Sequence, residues 1–151
     1  MSHRNKLFFV IPVFLLALLP SLSLYAGSYE TAGTRPAPIF VPMPEPGKKV
    51  SIGNDNYMIY GFVEKPKMGS VIMKIQVFNK EGEKDRSLVI TADSWMPSMP
   101  SMNGGHDTFM LSNNGDYLTP IHISMPGDWE IKLILSKNRK VIFRGSYKFD
   151  V

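Results

Sequence analysis

The residues with most chemistry to offer lie between positions 96 and 106. They read Met96-Pro97-Ser98-Met99-Pro100-Ser101-Met102, followed by Asn103-Gly104-Gly105-His106. Five of the ten methionines (Met96, Met99, Met102, Met110, Met125) share a 30-residue window with two of the three histidines, His106 and His122. Thioethers and imidazoles are ligands for soft transition metals, Cu(I) above all. Pro97 and Pro100 press the residues before them, Met96 and Met99, into extended conformations. A polyproline II run would then line Met96, Met99 and Met102 along one edge, about 9 Å apart at roughly 3.1 Å per residue. Two sulfurs on one ion cannot lie much more than about 4.6 Å apart, taking metal–sulfur bonds of about 2.3 Å. Adjacent methionines can bend inward and share an ion, but a straight run cannot bring all three to it. A site of Met96, Met99, Met102 and His106 therefore requires the loop to fold back through Gly104-Gly105.

Each of these residues also has an ordinary use. Methionine fills irregular gaps in cores and makes adaptable protein-binding surfaces. The Met-Pro run can equally cap one end of the fold over Trp95 and Tyr117, or face a partner protein. His106, on a polar Gly-rich stretch, is either a ligand or merely solvated. His122 alternates outward from Ile121 and Ile123 and reads as a sheet-surface residue, with a ligand role as the weaker option. Met125 points inward by parity, so it reads as core first and ligand second. Met110 reads as core, and Met58, Met68 and Met73 as structural.

The elements that must position these residues are strands. From Lys49 onward apolar residues recur with period two in short runs separated by turn residues. Such runs cover Tyr57 to Val63, Val71 to Val77, Leu88 to Trp95, Asp107 to Leu111, Tyr117 to Met125, Trp129 to Leu135 and Val141 to Phe149. Met125-Pro126-Gly127-Asp128 has the Pro-Gly pair of a type II turn. About seven short strands, no amphipathic helix and some 100 residues predict an immunoglobulin-like antiparallel β-sandwich over 49–151, with Trp129 and the tyrosines at its centre.

Residues 1–26 read as a secretory signal peptide. His3, Arg4 and Lys6 form a basic start, Leu7 to Leu19 is apolar, and Ala26-Gly27 supplies small residues for cleavage. The alternative is an uncleaved anchor, since Leu7 to Ala26 is just long enough to span a bilayer. That segment would be the chain's only contact with a membrane. Residues 27–48, with Pro36, Pro38, Pro42, Pro44 and Pro46, form a Pro-rich linker that favours a semi-rigid extended spacer. Ile39 to Val41 could also dock as an edge strand. Both readings of the leader place the domain in the periplasm or another extracytoplasmic space. The chain has no cysteine, so a core of about 100 residues must hold without disulfides, which is feasible at this size. Without Arg4 and Lys6, 15 basic residues stand against 13 acidic ones. So small an unclustered excess excludes nucleic-acid binding as an expectation. No nucleophile elbow, zinc-protease motif or phosphate loop is present, so a non-enzymatic protein is expected.

The arrangement Trp95-Met96-Pro97-Ser98-Met99, a Gly/His stretch, Gly115-Asp116-Tyr117 and then Met125-Pro126-Gly127-Asp128-Trp129 resembles the YtkA-like domain, related to FixH-like domains. The resemblance covers roughly residues 50–150. It implies an exported immunoglobulin-like sandwich associated with copper-handling or cytochrome-oxidase assembly systems. Met96, Met99 and His106 match its Met/His loop, and Gly127 and Trp129 its structural turn. Members often carry histidine directly after the second methionine, whereas Pro100-Ser101-Met102 intervenes here. The expectation is thus a domain that binds Cu(I) and buffers or delivers it to a membrane-bound copper-handling or oxidase-assembly protein. The alternative is a metal-free interaction module tethered near the membrane.

Overall fold

The computed structural model describes residues 36–151; the expected signal segment and residues 27–35 of the linker lie outside them. Ten strands follow in order: β1 (Val41–Pro42), β2 (Lys49–Gly53), β3 (Asn56–Phe62), β4 (Gly69–Phe78), β5 (Val89–Met96), β6 (Met99–Thr108), β7 (Met110–Leu111), β8 (Tyr117–Ile123), β9 (Asp128–Lys137) and β10 (Lys140–Asp150). They make two five-stranded sheets, ordered β1-β10-β9-β5-β6 and β2-β3-β4-β8-β7. Every pairing is antiparallel except β1 on β10. The all-β sandwich expected from the period-two runs is the fold adopted, with ten strands rather than about seven.

Alternation along the strands decides what is inside. Ile90, Ala92, Ser94 and Met96 of β5 face Trp129, Ile131, Leu133 and Leu135 of β9 across one sheet. Val71, Met73, Ile75, Val77, Tyr117, Ile121 and Ile123 come from the other, and all of these are buried. Trp129, Tyr60 and Tyr117 are the largest fully buried side chains. Met110, read as core, and Met68, read as structural, both lie in the open. Met110 is 71% exposed and Met68 58% exposed, because β7 is a two-residue edge and Met68 precedes β4. Val141 is also exposed, since a register shift between Val141 and Phe143 turns the strand.

The last part of the Pro-rich segment belongs to the sandwich. Val41 and Pro42 pair with Gly145 and Ser146, and the Met43 N–H donates to the Ser146 carbonyl at 2.8 Å. Met43 is buried over Gly145, where any Cβ would come within 2.7 Å of its sulfur. Pro42 is tolerated because it sits on the sheet edge, where no ladder N–H is required.

At the C-terminal end of β9, Asp85 ties the stretch before β5 to that strand. It accepts from Lys137 Nζ at 2.8 Å and from the Ser87 N–H and hydroxyl at 2.9 and 2.6 Å. Burial alone raises its pKa, but the Lys137 ammonium and the Ser87 donors outweigh burial and hold the carboxyl below its ordinary value. Asp116, partly desolvated but bonded to Lys84 and Gln76, is held down in the same way. Both groups ionise more readily folded than unfolded. Their stabilisation is therefore complete above the ordinary aspartate pKa of about 3.9 and is lost as pH falls through the folded values. Thermal melts should show a plateau above that pH and a fall below it. Asp85→Asn should flatten the acid limb; an identical limb would refute the assignment.

Candidate metal site on the β5–β6 hairpin

The Met-rich run is a strand hairpin, not a polyproline loop. Met96 pairs with Met99 across Pro97-Ser98, Trp95 with Asn103, Ser94 with Gly105 and Asp93 with His106. Pro97 supplies the fixed φ of a turn, and the Ser98 hydroxyl donates to the Asp128 carboxylate, fastening the tip to the start of β9. One step along β5, from Met96 to Trp95, corresponds to four along β6, from Met99 to Asn103. Pro100, Ser101 and Met102 are therefore extruded as a bulge, and Gly104 is a second, single-residue bulge. Bulges collect at sheet edges and re-aim side chains, and β6 is the edge of its sheet.

This geometry separates the expected ligands. Met96 ends β5 facing inward and is 1% exposed. Its terminal methyl lies where a Cβ on Gly127 would come within 2.8 Å. The expected row of Met96, Met99 and Met102 along one edge does not form, because the hairpin turn sends Met96 into the core. Met99 is 42% exposed at the tip. Met102 is half-buried and leans on the core from the bulge. Three β5 positions separate the levels of Met99 and His106, about 10 Å at roughly 3.3 Å per residue. Gly104-Gly105 thus does not fold His106 back onto Met99. Met125 is half-buried against the core, and its carbonyl accepts the Trp129 indole N–H at 3.1 Å. His122 is exposed on the outer face of the other sheet.

Gly104 sets how closely β6 closes the sandwich edge. A Cβ there would lie 2.4 Å from Ser94 Oγ, 2.9 Å from the Trp129 ring and 3.1 Å from the His122 carbonyl oxygen. Ser94 Oγ is buried and has no hydrogen-bond partner among the described residues.

The outer face of the same sheet brings His106 together with groups that the sequence did not single out. His106 Nδ1 lies 2.5 Å from Asp93 Oδ1. The Trp95 indole N–H donates to Glu130 Oε2 at 2.9 Å, and Glu130 is only 7% exposed. Lys132 Nζ sits 4.3 Å from the Trp95 ring centroid and 5.4 Å from that of Phe40. Asp93 and Trp95 were readable as outward residues, since they alternate with Ala92, Ser94 and Met96. Their partner on β6 was not, because that segment read as a loop.

Among the described residues, no three His, Cys, Asp or Glu side chains converge on a point that could hold a metal ion. Any metal site among them would therefore have to draw on other donors too, and the hairpin offers thioethers beside imidazole. That set suits a soft ion and is poor for calcium, magnesium or zinc.

The chain is thus an all-β sandwich with an edge hairpin that carries exposed sulfur and imidazole side by side with an aromatic and charged outer face. Its fold is similar to that of FetP from uropathogenic Escherichia coli, with 15% identity, a TM-score of 0.50, and 70% of this chain and 93% of that one covered. It is likewise similar to a copper-bound variant of Campylobacter jejuni P19, with 12% identity, a TM-score of 0.50, and 70% and 94% covered. At these identities the likeness is one of fold. No protein-family model matches the chain, and no curated protein matches it in sequence.

Proposed function

We propose that this protein is an exported, non-enzymatic Cu(I)-binding domain of the kind that the YtkA-like resemblance implies. It buffers the ion or passes it to a membrane-bound copper-handling or oxidase-assembly partner. The observation that carries this reading is the hairpin edge, where Met99, Met102 and His106 stand on one bulged strand of a fold shared with a copper-bound neighbour. Met99 and His106 are the accessible donors. Met99 and His106 stand about 10 Å apart in level, too far to share one ion in this arrangement, so a joint site requires the bulge that carries Met102 to rearrange. Met96 is core and takes no part. His106 has Asp93 as its only side-chain hydrogen-bond partner among the described residues.

Purified protein under reducing conditions should hold about one Cu(I) per chain against a competing chelator, as expected for a single soft-donor site. Replacing Met99 and Met102 by Leu and His106 by Asn together should abolish retention, while Met96→Leu leaves it unchanged. Unchanged retention in the triple variant would overturn the site. The alternative, a metal-free interaction module, is favoured by the exposed edge strand β7 with Met110 and Leu111 in the open. It predicts partner capture that survives copper removal and is lost on Met110→Glu.

A further inference from the structure

Asp93 has two direct cross-strand neighbours on the outer face of its sheet, His106 on β6 and Lys132 on β9. An aspartate opposite a lysine ordinarily forms a cross-strand ion pair. Here the lysine goes elsewhere. Its ammonium is taken up by the faces of Trp95 and Phe40, an attraction of the cation–π type. Trp95 is held in place for this by its indole hydrogen bond to the buried Glu130. Phe40 comes from the segment just ahead of β1, which docking of Val41 and Pro42 fixes against β10. Among the described residues, the side-chain partner left to Asp93 is His106.

An ionised carboxylate only accepts hydrogen bonds, so a neutral imidazole facing it must carry its proton on the facing nitrogen. For His106 that nitrogen is Nδ1, which leaves the Nε2 lone pair directed away from Asp93. A carboxylate bonded to the far nitrogen fixes the tautomer and ring orientation of a metal-ligating histidine and raises its basicity.

We infer that Asp93 is a positioning residue that presents Nε2 of His106 as a ligand atom, and that the Phe40–Lys132–Trp95 stack keeps the cross-strand lysine off Asp93. The choice of Cu(I) as the ion rests on the function proposed above; the hydrogen-bond assignment does not.

The test begins with copper-free protein. Long-range proton–nitrogen NMR of the neutral His106 ring should show a proton on Nδ1 and a bare Nε2. Asp93→Ala should give a mixture of tautomers with an unchanged melting temperature, and Cu(I) affinity should fall by about 10- to 100-fold. Trp95→Leu should shift the tautomer and affinity in the same direction by freeing Lys132, and adding Lys132→Met should restore both. A proton on Nε2 in the unmodified protein overturns the assignment of Asp93. Failure of the Lys132→Met rescue overturns the role of the stack. An Nδ1-protonated ring in a protein that retains no Cu(I) overturns the copper half of the inference while the Asp93–His106 geometry stands.

Discussion

Trp129→Ala should cost about 3–5 kcal/mol, the range for emptying a large buried aromatic position. In a domain of this size that loss should lower the melting temperature by about 10–20 °C. Trp129 is 1% exposed and is the largest of the fully buried side chains. It opens the inward face of β9, and its indole N–H ties the Met125 carbonyl into the turn before the strand. Alanine would lose the apolar contacts, leave a cavity that the two sheets cannot close, and remove the donor for that carbonyl. The ring also backs Gly104, so the edge strand β6 would lose its floor. Trp129→Phe keeps most of the volume and gives up the hydrogen bond, so it should cost about 1–2 kcal/mol for the bond plus a smaller void term for the lost ring volume. Urea unfolding followed by far-ultraviolet circular dichroism checks both, with the midpoint moving and the slope held. A shift of only a few degrees for Trp129→Ala would show that the ring does not centre the core.

The strands of the interior were legible because burial on one face leaves a period-two record. Val71, Met73, Ile75 and Val77, or Trp129, Ile131, Leu133 and Leu135, announce both the element and its inward face. The Met99 to His106 stretch left no such record. It is an edge strand made of residues that disfavour sheets, with Gly104 and Gly105 in its middle and Pro100 in its bulge. Two bulges, between Met99 and Asn103 and at Gly104, also break the alternation that a reader would look for. β1 was half legible: Ile39 to Val41 offered an edge strand as one option, and the pairing falls on Val41 and Pro42. For the site, the residue types were legible and the grouping was not. Met96 and Met99 are three apart and look like equals, yet a two-residue turn puts one in the core and the other in solvent. The Asp93–His106 pair depends on register across a hairpin that the sequence disguised as a loop.

Gly104→Ala should destabilise the protein by about 1–3 kcal/mol, the usual cost of forcing a methyl into a packed site. It should weaken Cu(I) retention in the same step. The new Cβ would start 2.4 Å from Ser94 Oγ, 2.9 Å from the Trp129 ring and 3.1 Å from the His122 carbonyl. The ring is locked in the core and the carbonyl belongs to β8, so neither yields cheaply. The strand that carries the alanine must move instead, away from the sandwich edge. That displacement falls between Met102 and His106 and pulls His106 out of register with Asp93. Ser94→Ala is the informative companion. Alone it removes a buried hydroxyl that has no partner among the described residues, a change that ranges from neutral to stabilising by about 1 kcal/mol. Combined with Gly104→Ala it removes the closest of the three clashes, so the double variant should be more stable than the sum of the single effects predicts. Part of the lost copper retention should return with it. Strict additivity in the stability cycle would mean that Ser94 and Gly104 do not touch. Full copper retention in Gly104→Ala, with stability reduced, would mean that the close seating of β6 serves the fold and not the metal.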